Sequence, residues 1–203
     1  MATRTAYRDW TPVPTIAITL PLELPLPDGF DPQDLETWPL VEGRLEYVDG
    51  RLLYMPPSGD EQQDTVADVT VELGLWTRAH HEFLISTNEA GMILGEDVRA
   101  ADASVYRRTD VGPYTGGLRR VPPVLAVEVA GKEPSDLLSE KARWYLERGV
   151  EVVWLLVPRT HRVIVKTLAG SVELGPGDRV PAHPSLPGLE PRVDDLFRQI
   201  RRA

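Results

Sequence analysis

The sequence predicts an α/β fold, with a β-sheet flanked by helices, and three patterns along the chain support this class. A strand-like run, a helical stretch and a second strand-like run follow one another over residues 124–157. Two strand-like segments joined by an Asp-Gly turn lie at residues 44–55. Apolar side chains recur with the period of a helix over residues 60–79. Strands and helices in this mixture are typical of an α/β protein.

The chain is predicted to consist of an arm and one domain. Residues 1–30 are rich in proline and are expected to form an extended arm, followed by a single domain over residues 31–203. At the start of that domain, Asp31 and Pro32 are expected to begin a short helix. An aspartate suits the N-cap of a helix, and proline suits its first helical position.

A hairpin, a long helix and several strands are expected next. The hairpin strands are predicted at residues 44–48 and 51–55, because Asp49-Gly50 suits a two-residue turn that needs positive φ. The helix at residues 60–79 should bury the face formed by Val66, Val69, Leu73 and Trp76. Further strands are expected at residues 83–86, 91–94 and 99–107, with a loop at 109–120.

The unit over residues 124–157 is the clearest in the sequence. Residues 124–130 predict a buried strand, residues 134–149 a helix that ends at Gly149, and residues 152–157 a second buried strand. Two strands joined by a crossover helix are expected to run parallel in one sheet. The remaining elements are a strand at residues 162–167 and a short amphipathic segment at 193–200.

Composition limits the kind of metal site that the chain can form. Its 203 residues contain no cysteine, which excludes disulfides and thiolate metal ligands. The four histidines lack the helical spacing of a zinc site. Any metal should therefore be a hard cation held by carboxylates.

The charge distribution leaves two interpretations open. A net charge of −9 argues against general affinity for nucleic acids, whose binding depends on neutralising phosphates. Arginines flank the loop at 109–120 and close the chain, at positions 107, 108, 119, 120, 198, 201 and 202. They either form a local path for a nucleic acid or are separate solvated charges. No apolar run is long enough to span a membrane and no signal-like segment is evident, so a cytoplasmic protein is expected.

Glu128 lies inside the apolar strand at residues 124–130, where an unpaired charge would cost several kcal/mol. Alternation of side chains along a strand puts Glu128 on one face with Val124, Ala126 and Ala130. The same reasoning puts Asp102 on one face with Ala100 and Ser104. The two acids either share one site or are satisfied separately.

Lys141 and Glu46 are the other candidate site residues. Lys141 lies four residues after Leu137 and three before Trp144, so it should face the sheet with the packed side of its helix. The alternative is an ordinary solvated lysine. Glu46 should share a strand face with Leu53 and Met55, either as a third ligand of a metal or water or at a sheet edge.

These residue types are typical of metal-assisted hydrolysis of a phosphodiester. Asp102 and Glu128 would supply oxygen ligands to Mg²⁺, which polarises a phosphate and acidifies a bound water. Lys141 would orient that water or stabilise negative charge in the transition state. Mn²⁺ is an alternative ion.

The chain resembles the Uma2 proteins, restriction-endonuclease-like members of the PD-(D/E)XK nuclease superfamily, over residues 31–197. The resemblance starts with LEYVDGRL at 45–52, MPPS at 55–58 and ADASV at 101–105. It continues with PVLAVEV at 123–129, then Asp136, Lys141, Tyr145, GVEVVW at 149–154, LPGL at 186–189 and Leu196-Phe197.

This resemblance implies a mixed β-sheet flanked by helices and metal-dependent nuclease chemistry on DNA. It implies that Asp102 and Glu128 are the metal ligands, that Lys141 carries the role of the catalytic lysine from a helix, and that Glu46 matches the family's early acid. The chain departs from the family pattern at Ala101, Ala130, Gly131-Lys132 and Gln62 or Gln63, where proline, lysine, serine and histidine are usual.

The leading hypothesis is a Mg²⁺-dependent DNA endonuclease. The alternatives are a nuclease fold that binds nucleic acid or protein without catalysis, and an oligomeric structural protein whose buried acids are hydrogen-bonded. The retained carboxylates and lysine favour the enzyme, whereas the acidic charge and the departures favour a non-catalytic descendant. A homodimer is a further expectation.

Overall fold

The computed structural model describes residues 20–131 and 135–201. Most of the predicted arm lies outside the described residues, as do Lys132 and Arg202. The division into an arm and a single domain therefore stays a prediction. In the described part of the chain, no helix has both the length and the apolar content that crossing a membrane requires.

Nine strands of the described residues form one mixed sheet. They are β1 (Leu22–Leu24), β2 (Arg44–Val48), β3 (Arg51–Met55), β4 (Phe83–Leu94), β5 (Asp97–Arg107), β6 (Leu125–Val129), β7 (Val152–Val157), β8 (Arg162–Thr167) and β9 (Gly170–Leu174). The helices are α1 (Asp60–Ala79) and α2 (Ser135–Glu147), and short 3₁₀ segments lie at Leu35–Thr37, Pro158–Thr160 and Val193–Phe197.

The order of the strands confirms the predicted mixed sheet. The main path runs β1-β3-β2-β5-β6-β7-β8-β9, with β4 paired to β5. β6 and β7 are parallel, as predicted for two strands joined by the crossover helix α2. The hairpin β2–β3 is antiparallel around Asp49 and Gly50, both of which have positive φ.

β5 has three partners, and two of them share one edge. β4 pairs along β5 from Asp97 to Arg107. β2 pairs with β5 at Val98, and β6 pairs at residues 103–105. Since a strand has only two hydrogen-bonding edges, β2 and β6 divide the edge opposite β4. We call the gap between β2 and β6 along this edge the fork.

The two helices cover opposite faces of the sheet. One core cluster joins Val69, Leu73 and Trp76 of α1 to alternate residues of β6, namely Leu125, Val127 and Val129. The other joins Leu138, Ala142 and Tyr145 of α2 to Ala126. Alternation along β6 is thus as predicted. Val124 is the exception: it precedes β6 and packs in the α1 cluster.

Several elements differ from the sequence prediction. The two strands expected at 83–86 and 91–94 are one strand, β4, interrupted by a bulge at which Asn88 has positive φ. Asp31 does not cap a helix. Its carboxylate accepts the Gln33 N–H in a tight turn, and the short 3₁₀ segment begins only after Asp34. The additional strands β1 and β9 pair with β3 and β8.

Candidate active site

Asp102 lies at the fork of the sheet. Its side chain accepts the backbone N–H of Val129 through Oδ2 at 2.7 Å and pairs with the Arg44 guanidinium through Oδ1 at 3.2 Å. Regular alternation does not continue through this position, because Ala101 packs in the α2 cluster and Ala103 in the α1 cluster. The predicted common face of residues 100, 102 and 104 is therefore wrong. The carboxylate of Asp102 bonds the end of β6.

Glu128 lies on the face of β6 that α2 covers. Its side chain is only 2% exposed. The Tyr145 hydroxyl donates to Oε1 at 2.7 Å, and the Lys141 ammonium donates to Oε2 at 3.0 Å. The buried acid therefore has two donors, both from one helix.

Lys141 faces the sheet and lies between two acids. Its Nζ is 3.0 Å from Glu128 Oε2 and 3.1 Å from Glu46 Oε1. The side chain is 15% exposed, so the lysine is not an ordinary solvated one. The helical spacing from Leu137 and Trp144 predicts this inward orientation.

Glu46 is buried in the interior of the sheet. Its strand, β2, lies between β3 and β5, so the sheet-edge interpretation is wrong. Besides Lys141, its carboxylate contacts the Arg99 guanidinium at 2.9 Å and accepts the Ala100 N–H at 3.4 Å. Glu46 thereby joins the hairpin to β5 and to α2.

The four predicted residues thus meet in one cluster, together with two arginines that sequence reasoning missed. The acids are Glu46, Asp102 and Glu128, and the cations are Arg44, Arg99 and Lys141. Equal numbers of acids and cations lower the cost of burying each charge. The catalytic roles of these residues stay predictions.

Lys141 and the two acids that it contacts have pKa values that shift in different directions. Burial raises the pKa of Glu128 above its usual value. The positive charge of Lys141 lowers this pKa, but the negative charge of Asp102 raises it further, and the net shift is upward. Burial alone would also raise the pKa of Glu46, but Lys141, Arg99 and Arg44 hold it below its usual value. Burial would lower the pKa of Lys141, yet Glu128 and Glu46 raise it. Lys141 is therefore a stable cation, and of the two acids that it contacts, Glu128 takes up a proton more readily than Glu46.

Two further residues hold the carboxylates and their strand. Burial raises the pKa of Tyr145 well above its usual value, so its hydroxyl remains a donor to Glu128. Gln62 of α1 donates its side-chain N–H to the Val129 carbonyl at 3.0 Å, whereas Gln63 bonds the Ser58 carbonyl. Gln62 is thus the glutamine that reaches the site from the start of α1. Strand parity with Glu46 could have indicated Arg44. Tyr145 is a weaker candidate on the same helix as Lys141, and it contacts Glu128 directly.

Asp97 fixes the far end of α2 to the sheet. Its carboxylate, which is 5% exposed, accepts Trp144 Nε1–H at 2.8 Å, Arg148 Nη2–H at 2.7 Å and the Asp49 N–H at 3.0 Å. These bonds hold the same helix that carries Lys141.

Removing the Asp97 carboxylate should therefore destabilise the fold. We expect Asp97→Ala to lower the free energy of unfolding by about 3 kcal/mol, because a buried indole N–H and a guanidinium lose their acceptor. Urea denaturation measures this change. Glu147→Ala, which removes an exposed partner of Arg143 from the same helix, should change stability by less than about 1 kcal/mol. Equal effects of the two substitutions would contradict the anchoring role.

The predicted metal ligands are two carboxylates, those of Asp102 and Glu128. Among the side chains that the structure describes, no three histidines, aspartates or glutamates are grouped so as to hold a metal ion. Glu46 is therefore not placed as a third ligand beside Asp102 and Glu128. Its contacts indicate that it positions Lys141 instead.

Comparisons with known proteins agree with this architecture. No curated protein matches the chain. The chain is similar to the crystal structure of a putative nuclease belonging to DUF820 from Anabaena variabilis, with a TM-score of 0.75 and 16% sequence identity. The similarity covers 85% of this chain and 99% of the other. The model of the Uma2 family, described as "Putative restriction endonuclease", matches residues 32–196. The chain therefore belongs to the Uma2 family.

Proposed function

We propose that the protein is a metal-dependent DNA endonuclease. It would use Asp102 and Glu128 to hydrolyse phosphodiester bonds. The observation that supports this most is the convergence of these two buried carboxylates with Lys141 at the fork of the sheet. Membership of a family described as restriction endonucleases supports the same reaction class.

Asp102 and Glu128 are suited to hold a divalent cation together. The charge of Asp102 helps to raise the pKa of Glu128, and this repulsion is what a shared cation would relieve. Each carboxylate oxygen has more than one acceptor site, so its present donor leaves room for coordination. When bound there, Mg²⁺ or Mn²⁺ would polarise the scissile phosphate and lower the pKa of a bound water.

Lys141 would act directly on the phosphate or on the attacking water. An ammonium has three N–H donors, and contacts with Glu46 and Glu128 use two of them. The third is available to a phosphate oxygen, on which negative charge develops in the transition state. Because the pKa of Lys141 is raised, the group keeps its proton and its charge through this step.

Glu46 and Tyr145 would act as positioning residues. Glu46 holds Lys141 at 3.1 Å from the side opposite Glu128. The Tyr145 hydroxyl fixes one oxygen of Glu128, and the Val129 N–H fixes one oxygen of Asp102. Such fixed donors reduce the reorganisation that the reaction would otherwise require.

A second candidate function is nucleic-acid binding or scaffolding without catalysis, including as a homodimer. The balance of three acids against three cations favours it, because the cluster needs no metal to neutralise its charge. Arg44 in particular already pairs with Asp102. The net charge of −9 also weakens a general affinity for DNA.

Cleavage of DNA separates the two candidates. Supercoiled plasmid and single-stranded DNA should be cut in Mg²⁺ or Mn²⁺ and left intact in EDTA. Asp102→Asn should reduce the rate by about 10³-fold or more, because residues of a cooperating catalytic unit are not replaceable singly. Asp195→Asn, which alters an aspartate paired with Arg198 near the C-terminal end, is the matched control and should retain the rate.

Metal binding by calorimetry completes the experiment. Mn²⁺ binding that Asp102→Asn weakens, without any cleavage by the unaltered protein, would favour the non-catalytic candidate. Cleavage that survives both Asp102→Asn and Glu128→Gln would come from a contaminant and would remove the basis of the proposal.

A further inference from the structure

A basic cavity lies beside β4, away from the charged cluster. Its volume is about 650 Å³, and it is bounded by the end of α1, by β4 and by the loop after β5. The residues that matter for its chemistry are Arg78, His81, Thr87, Arg108, Tyr114 and Arg119.

The charge of this cavity contrasts with that of the whole protein. Three arginines are among its described lining residues and no acidic residue is, although the chain carries a net charge of −9. The neighbouring Arg107 differs, because it pairs with Glu151 at 2.8 Å and also with Asp110. Among the ion pairs of the described residues, none uses a cavity arginine. Guanidinium groups without a carboxylate partner are typical of phosphate-binding sites.

Two of these arginines are held in place before any ligand binds. The backbone of Arg119 joins the outer edge of β4 through hydrogen bonds with Gly91 at 3.2 Å and Ile93 at 2.7 Å. Its guanidinium carbon lies 5.4 Å from the Tyr106 ring centroid and 5.5 Å from that of Tyr114. Arg108 Nε donates to the His81 carbonyl at 2.8 Å, which fixes the other guanidinium. Groups fixed in this way lose little entropy on binding an anion.

Tyr114 adds an aromatic surface beside the arginines. Its side chain is 84% exposed, and no other aromatic residue of the described part of the chain is among the exposed large hydrophobic residues. Exposed aromatic rings next to cationic groups are typical of proteins that bind single-stranded nucleic acids, because each base can stack on a ring while arginines contact the backbone.

The cavity is also close to the candidate active site along the sheet. Thr87 of its lining pairs with Ala103 of β5, and Asp102 is the next residue of that strand. Adjacent strands lie about 4.8 Å apart, so the backbone of Thr87 lies about one strand spacing from β5, the strand that carries Asp102.

We propose that this cavity binds the backbone of a single nucleic-acid strand, with Arg108 and Arg119 contacting phosphates and Tyr114 stacking on a base. The cavity would hold the substrate strand a few nucleotides from the bond to be cut. This inference rests on the proposed function, because it takes nucleic acid to be the substrate. Of the four arginines near the loop, Arg108 and Arg119 would form the path, while Arg107 pairs with Glu151 and Arg120 donates to the Gln33 side chain.

Fluorescence anisotropy with a labelled single-stranded oligonucleotide in EDTA tests the proposal on the full chain. Arg108→Ala combined with Arg119→Ala should weaken binding by at least about 10-fold and reduce the slope of log K against log salt by about 1.4, or 0.7 for each phosphate contact. Arg162→Ala, which alters an arginine paired with Glu173 on β8, should leave both quantities unchanged.

Substitutions at Tyr114 provide a second test that does not disturb folding, since the ring is largely exposed. Tyr114→Ala should weaken binding of the single strand, whereas Tyr114→Phe should keep it. Unchanged affinity and salt slope in the double arginine variant would overturn the proposal even if the protein cleaves DNA. Conversely, salt-dependent binding that needs these residues would support it even if no cleavage occurs in Mg²⁺. Failure of the unaltered protein to bind any oligonucleotide would also overturn it.

Discussion

Lys141→Met is expected to lower the free energy of unfolding by about 3–5 kcal/mol at neutral pH, the usual cost of removing one partner from a buried ion pair. Lys141 is the cation shared by Glu46 and Glu128, at 3.1 and 3.0 Å. Methionine fills similar space but leaves both acids without that cation. Urea denaturation followed by tryptophan fluorescence would measure the loss.

The control for this substitution lies two residues further along the same helix. Arg143→Met alters a side chain that is 69% exposed and pairs loosely with Glu147 at 3.9 Å. We expect a change below about 1 kcal/mol there. If both variants lose the same small amount, Lys141 is a solvated lysine in solution and its proposed role fails.

Lys141→Arg separates stability from catalysis. Arginine keeps the positive charge, so much of the stability should remain. Its planar guanidinium cannot reproduce the compact ammonium between two carboxylates and a phosphate. DNA cleavage should therefore fall much more than stability does.

Glu128→Gln is expected to reduce DNA cleavage by about 10³-fold or more, while lowering the free energy of unfolding less than Lys141→Met does. The carboxylate is lost as a metal ligand, but the glutamine carbonyl can still accept the Tyr145 hydroxyl. Lys141 keeps its contact with Glu46. Because burial disfavours the ionised form of Glu128, removing its charge should cost less stability than removing the Lys141 cation.

The pH dependence of this stability difference follows from the direction of the pKa shift. The pKa of Glu128 is raised in the folded state, so the glutamate favours folding only while it is protonated. This contribution is present below the pKa of an ordinary glutamate and is lost as pH rises through the raised value. The stability of Glu128→Gln relative to the unaltered protein should thus be greatest at neutral pH and should fall on acidification.

Denaturation of Glu128→Gln and the unaltered protein at neutral and acidic pH checks this expectation. Glu173→Gln, which removes an exposed charge paired with Arg162, is the matched control. If Glu128→Gln loses as much stability at neutral pH as Lys141→Met does, the result would contradict the raised pKa of Glu128.

Local sequence patterns predicted those elements that are determined by a turn, by helical spacing or by a run of apolar residues. The hairpin β2–β3 was predictable because Asp49-Gly50 permits only a few turns, and the unit from β6 to β7 because its apolar runs flank a helix with a glycine end. β4 was not predictable as one strand, because its interruption at Asn88 is a bulge opposite β5. A bulge and a strand end look alike until the partner strand is known.

The candidate site shows the same limit. Parity along β6 predicted the face of Glu128, and helical spacing predicted the inward side of Lys141. The role of Glu46 depends on β2 lying next to β5, a pairing between residues about fifty positions apart. Parity along β2 puts Arg44 on the face of Glu46, but the contacts of Arg44 with Asp102 and of Arg99 with Glu46 also depend on the position of β2 beside β5.

The fork also determines how the amino-terminal hairpin is fastened to the rest of the molecule. β2 and β5 are paired at Tyr47 and Val98, so the backbone ladder between them is short. Arg44 and Glu46 bridge the remaining distance through Asp102, Arg99 and Lys141. The charged cluster therefore joins the hairpin β2–β3 to β5 and α2 through side-chain ion pairs. A molecule in which the hairpin has come loose would lose its candidate active site at the same moment, so correct assembly and activity would fail together.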